Sequence, residues 1–181
     1  MKRLVQTCAL LGLAVVAASC GGNSTLNETE AAVYLTAEVK EYNPDVSMSV
    51  SGDVTISKLN IHSFSKDPNA TLTSAQDVRL TRWVVTAERT DGGTTVSPQW
   101  VNDIDVYVPA GGTTNLDNYR VFPAEYFNQA PLSYLLPENG GVDPETGNHN
   151  IRQTLHVEIF GTTSGGKSIS VKFNAGFNFT Y

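Results

Sequence analysis

From residue 33 onward the chain alternates apolar and polar residues with a period of two, the pattern of half-buried β-strands. Val33, Leu35, Ala37 and Val39 share one face against Tyr34, Thr36, Glu38 and Lys40. Val54 and Ile56 alternate, and then the phase slips to Leu59 and Ile61. The next run slips in the same way, from Val78 and Leu80 to Trp83, Val85 and Ala87. A one-residue slip turns every later side chain to the other face unless a bulge absorbs it, so both runs predict bulged strands. Thr90-Asp91-Gly92-Gly93-Thr94 supplies turn chemistry for a hairpin. A strand from Val101 to Val108 is stopped by Pro109-Ala110-Gly111-Gly112, and a short polar strand follows from Thr113 to Val121. The last pair is the clearest. Ile151, Gln153, Leu155, Val157 and Ile159 form one face, Ser164-Gly165-Gly166-Lys167 turns the chain, and Ile169, Val171, Phe173, Ala175, Phe177, Phe179 and Tyr181 form the next face.

No window of eleven residues or more carries helical spacing. Some seven short strands with turn-rich connections predict an all-β fold, an antiparallel sandwich spanning 31–181. Its core is expected to include Val54, Ile56, Trp83, Val85, Leu155, Val157, Ile159, Val171 and Phe173. An irregular insertion at about 122–150 holds the apolar, Pro-bounded segments 122–127 and 132–137, which could form one or two short helical turns capping an open end of the sandwich. The segment 101–120 is short and acidic, which suits a sheet edge, whereas 151–175 has long apolar faces that suit the interior. The strand around Trp83 resembles the third strand of immunoglobulin-like domains, where a buried Trp is common. The paired Cys of true immunoglobulin domains has no counterpart, so the resemblance is one of architecture.

The first twenty residues read differently. Lys2 and Arg3 precede an apolar stretch from Ala9 to Ala18, and small residues lead into Cys20. This order describes a secretory leader. The twelve residues from Cys8 to Ser19 fall short of the roughly 20 apolar residues that span a bilayer. The run Leu13-Ala14-Val15-Val16-Ala17-Ala18-Ser19-Cys20 resembles the lipobox of bacterial lipoproteins, with Ala17 where that family usually carries Leu. The resemblance implies removal of residues 1–19 and attachment of a diacylglycerol, with acyl chains such as palmitate, to Cys20. Residues 20–30 then form the lipidated Cys and a flexible polar tether. It also implies a cell-envelope location, held to the membrane through the lipid. Gly21, rather than Asp, after the Cys points to the outer membrane if the organism is a diderm.

The chain has 12 basic and 18 acidic residues, and loss of Lys2 and Arg3 with the leader takes the net charge from −6 to −8. Nucleic acid, bound through clustered Lys and Arg, is therefore not an expected partner. With Cys20 lipidated, no thiol remains for a disulfide or a nucleophile. No Gly-x-Ser-x-Gly elbow is present. No cofactor is expected. His156 and Glu158 share a strand face and His149 lies seven residues earlier, but two fixed ligands are too few for zinc, so no metal site is expected. Asp103 and Asp105 face one way, and 143–148 is an oxygen-rich loop expected to be solvated. The expected function is a non-catalytic binding or scaffolding module at the envelope, with envelope proteins or glycans as partners. A glycan would stack on Trp100, Tyr126, Phe127 and Tyr134 in an exposed groove, whereas a scaffold would have these rings buried, with Tyr126, Phe127 and Tyr134 plugging the end of the core. A metal-dependent enzyme is a remoter alternative. So is an outer-membrane β-barrel, suggested by the alternating final strand but opposed by Lys58, Arg79 and Glu88 in earlier strands.

Overall fold

The computed structural model describes residues 30–181; the expected leader, Cys20 and the expected tether up to residue 29 lie outside the described residues. The fold is an all-β sandwich. Its strands are β1 (Val33–Tyr42), β2 (Asp45–Ser47), β3 (Val54–Ser65), β4 (Val78–Arg89), β5 (Trp100–Val108), β6 (Thr113–Phe122), β7 (Asn150–Thr163) and β8 (Ser168–Thr180). One sheet has the order β1-β3-β6, the other β2-β8-β7-β4-β5. All pairs are antiparallel except β2 with β8. As expected, β5 and β6 lie at sheet edges, and β7 and β8 are interior.

All nine residues named above for the core are buried. Trp83 is completely enclosed and joins the two sheets, with Tyr119 of β6 at 4.9 Å and Phe173 of β8 at 5.7 Å between ring centres. The outer faces carry polar side chains such as Thr154, Lys172, Asn174, Asp103 and Asn115, where an outer-membrane barrel would carry its apolar band.

The phase slip in β3 belongs to a crease that runs across the whole three-stranded sheet. Each strand places two consecutive residues outward: Lys40-Glu41 in β1, Ser57-Lys58 in β3 and Asp117-Asn118 in β6. Ile56 pairs with Tyr42 and Tyr119, and Leu59 pairs with Val39 and Leu116, so the slips lie side by side. Because all three strands slip together, the inner face stays apolar on both sides of the crease. Asn118 makes the slip in β6 with φ of +52°, a left-handed conformation that Asn tolerates better than most residues.

The slip in β4 falls at Thr81-Arg82 and is absorbed by register shifts against both β5 and β7. The bulged backbone presses on Gly161 of β7. A Cβ there would lie 2.2 Å from the Arg79 carbonyl oxygen, so only glycine fits.

The expected hairpin after β4 is not a tight turn. β4 and β5 pair as neighbours, but residues 90–99 join them as a long loop. Asp91 accepts from the Gly93 amide locally, but it is also drawn into a buried ion network with Arg89. In the insertion, the two apolar segments form short 3-10 turns at Ala124–Asn128 and Leu132–Leu135, and a third turn follows at Pro137–Asn139.

Candidate functional site

The strand directions give the sandwich two unlike poles. Residue 30 leads into β1 at one pole, with the connections 66–77, 109–112 and 164–167 around it; Lys167 Nζ binds Glu30 at 2.5 Å. At the other pole, residues 43–53, 90–99 and 123–149 gather. Irregular segments carried on a rigid scaffold are where binding residues concentrate, which makes this second pole the candidate site.

Aromatic rings close the core beneath it. Phe122 meets Phe179 at 5.5 Å, and Phe127 lies 6.1 Å from Phe122 and 6.3 Å from Phe179. Tyr126 packs edge-on against Phe122 and its hydroxyl donates to the Gln99 carbonyl at 3.2 Å. The insertion therefore plugs the open end, and Phe127, 5 % exposed, is a core residue.

Above this plug the loops are stapled by charge. Arg89 Nε donates to Asp91 Oδ1 and Arg89 Nη2 to Asp143 Oδ2, both at 2.7 Å, with side-chain exposures of 1 %, 2 % and 0 %. Asp91 also accepts from the amides of Arg152 and Gly93, and Asp143 from the Thr146 hydroxyl and the Glu145 amide. Burial alone would raise both carboxyl pKa values. The hydrogen bonds from Arg89 and the neighbouring donors outweigh it and hold both below the usual Asp range. Glu145 accepts from the hydroxyls and amides of Thr94 and Thr95. The Thr95 hydroxyl, first among these donors, helps bring its pKa down to about 2. The 143–148 loop is thus no freely solvated acidic loop. Asp143 is fully buried because it is the second carboxylate that Arg89 requires.

The four rings that a glycan site would set in an exposed groove do not form one. Trp100 is 8 % exposed because it lies in phase with Val106 and Val108 on the inner face of β5. The Arg120 guanidinium lies over it at 5.0 Å. With Phe127 also in the core, only Tyr126 and Tyr134 remain half-buried at the surface.

The three candidate metal ligands are likewise dispersed. His149 Nδ1 bonds the Gly141 carbonyl at 2.8 Å. His156 uses both ring nitrogens, on Asn174 Oδ1 at 2.9 Å and Glu88 Oε2 at 2.7 Å. Glu158 bonds Ser170 and Lys172. Among the described residues no three His, Cys, Asp or Glu side chains are placed to share a metal ion.

Two surface features have little trace in the sequence. The β4 bulge opens a shallow groove of about 540 Å³ on the outer face of the five-stranded sheet, lined by Arg82, Val84, Glu158 and Phe160 among others. The phase slip of β4 is its only signal there. On the opposite face Tyr34 stacks on Phe64 at 5.4 Å, and His62 lies 6.0 Å from Phe64. Phe64 is 44 % exposed, so this small aromatic cluster lies open on the outer face of the three-stranded sheet.

No protein-family model matches the chain, and no curated protein matches it in sequence.

Proposed function

We propose that the chain is a lipid-anchored protein of the cell envelope whose sandwich is a non-catalytic binding or scaffolding module. The observation that carries this reading is the polarity of the domain. Residue 30, ten residues beyond Cys20, enters at one pole, and the long loops gather and are stapled at the other. A tether of ten residues reaches at most about 35 Å, so the entry pole stays near the anchor while the stapled pole is free to face outward. A rigid set of loops loses little conformational entropy on binding. An immunoglobulin-like assignment is supported by strand order. β1-β3-β6 against β8-β7-β4-β5 is similar to the A-B-E and G-F-C-C′ order of such domains, without their disulfide.

Two measurements test the proposal. Mass spectrometry of the protein from its native envelope should find Cys20 as a diacylated N-terminus, and Cys20→Ala should leave unprocessed or soluble protein. An unlipidated N-terminus overturns the anchor. Envelope material recovered by the wild-type protein should be lost when Arg89→Met loosens the stapled pole. Equal recovery by both places binding elsewhere.

A further inference from the structure

We propose that β5 is a self-pairing edge, through which two copies of this chain join their five-stranded sheets antiparallel about Ile104. Four strands lie at sheet edges: β1, β6, β2 and β5. Unpaired edges invite pairing and are commonly blunted. β2 is only three residues long, and β1 and β6 are interrupted by the crease at Lys40-Glu41 and Asp117-Asn118. β5 alternates without a break over its nine residues, even where its register with β4 shifts, and of its far end only the Tyr107 carbonyl is taken, by the Thr114 hydroxyl of β6 at 2.7 Å. Its outer face presents Val101, 42 % exposed, Tyr107, 56 % exposed, and the exposed pair Asp103 and Asp105 between them.

This face is symmetric about Ile104. Asp103 and Asp105 stand one residue to either side, and Val101 and Tyr107 stand three residues to either side. Antiparallel pairing centred there sets Val101 against the second copy's Tyr107, an aromatic against a β-branched residue, which is a favourable cross-strand pair. It also sets Asp103 against the second copy's Asp105. Two like charges would repel, but each brings an arginine. Asp105 is gripped by Arg79 through two hydrogen bonds of 2.7 Å. Arg82 stands opposite Asp103 in register, and its side chain has no hydrogen-bond or ion-pair partner among the described residues. The joined sheets would carry a neutral row of Arg82, Asp103, the second copy's Asp105 and its Arg79.

Neighbouring registers are worse. Sliding by two residues one way puts Val101 against Asp105 and Asp103 against its own copy. Sliding the other way puts Tyr107 against Asp103 and Asp105 against its own copy. A partner chosen only for positive charge would answer Asp103 and leave Val101 and the Tyr107 ring unmatched, whereas a second copy answers both. One added strand per copy buries less than the roughly 1,200 Å² of a stable interface. The pairing therefore needs a high local concentration, which tethering to a common surface would supply. The pairing itself does not depend on the anchor.

The test uses the full chain with Cys8→Ser and Cys20→Ser, which removes lipidation and stray thiols. Val101→Cys with Tyr107→Cys should form interchain disulfides on mild oxidation at high protein concentration, roughly tenfold faster than Val101→Cys with Asp105→Cys, because directly opposed Cβ atoms come within bridging range. Equal rates, or no cross-link, overturn the proposal. Without any new cysteine, amide protection along β5 should rise with protein concentration, and Val101→Asp should abolish that rise while leaving thermal unfolding unchanged. Protection independent of concentration also overturns it.

Discussion

The Arg89 guanidinium and the Asp143 carboxylate, 54 residues apart in the chain, meet at 2.7 Å with almost no exposed side-chain surface. Together with Asp91, this contact fixes the 90–99 loop to the 141–149 loop at the pole where binding is proposed. An ion pair of this kind contributes more to positioning than to net stability, but removing one partner leaves a buried charge uncompensated. Arg89→Met strands two carboxylates and should cost about 3–5 kcal/mol, measured by urea denaturation. A loss within 0.5 kcal/mol, roughly that of an ordinary surface substitution, would show that the network is solvated and dispensable.

Acid should release the same loops, and only strong acid. Asp91, Asp143 and Glu145 all have lowered pKa values in the fold, Glu145 from 4.5 to about 2. A carboxylate with a depressed folded pKa contributes stability that is full above its unfolded pKa and is lost as pH falls through the folded value. The amides of Thr94 and Thr95 should therefore stay protected from exchange at pH 4.5 and lose protection as pH approaches 2. Glu145→Gln should flatten that acid limb for these two amides. An unchanged limb in the variant would assign the acid response to another group.

Legibility in the sequence differs between the core and the site. The bulges in β3 and β4 are visible because an apolar phase slip needs no partner to be seen. The crease through β1 and β6 is not, since Lys40-Glu41 reads as the polar end of a strand and Asp117-Asn118 lies within a strand that is polar throughout, so neither pair stands out as a break. Trp100 reads as exposed because it follows Pro98-Gln99, which hides that it begins the inner face of β5. The Arg89 network is illegible in principle. Periodicity reports which face a residue takes, not which distant charge it meets, so Asp143 in a Gly- and Asn-rich stretch looks solvated.

Gly161 tests the bulge in β4. A Cβ at this position would fall 2.2 Å from the Arg79 carbonyl oxygen and 2.8 Å from the Leu80 Cα. Both are backbone atoms on the bulged strand and cannot swing away. Gly161→Ala should cost about 1–3 kcal/mol, the range for an overpacked site, read from the thermal midpoint. A Cβ added at Gly176 in β8 would meet no atom within 4 Å, and Gly176→Ala should change stability by no more than about 0.5 kcal/mol. Similar losses in both variants would mean that the bulge yields.

Asn118 tests the crease in the other sheet. Its φ of +52° is the one positive value at a non-glycine residue among those described. It turns β6 by one residue so that Leu116 and Tyr119 both face the core, and Tyr119 thereby reaches Trp83 at 4.9 Å. The side chain itself is exposed, so substitutions act through the backbone. Asn118→Gly should keep the fold within about 0.5 kcal/mol, because glycine adopts this region freely. Asn118→Val should cost roughly 1–2 kcal/mol, the penalty for forcing an L-residue left-handed. It should also disturb Trp83 fluorescence as Tyr119 shifts. If Val is tolerated as well as Gly, with fluorescence unchanged, the strand crosses the crease without the left-handed turn, and the aligned slips of β1, β3 and β6 need another cause.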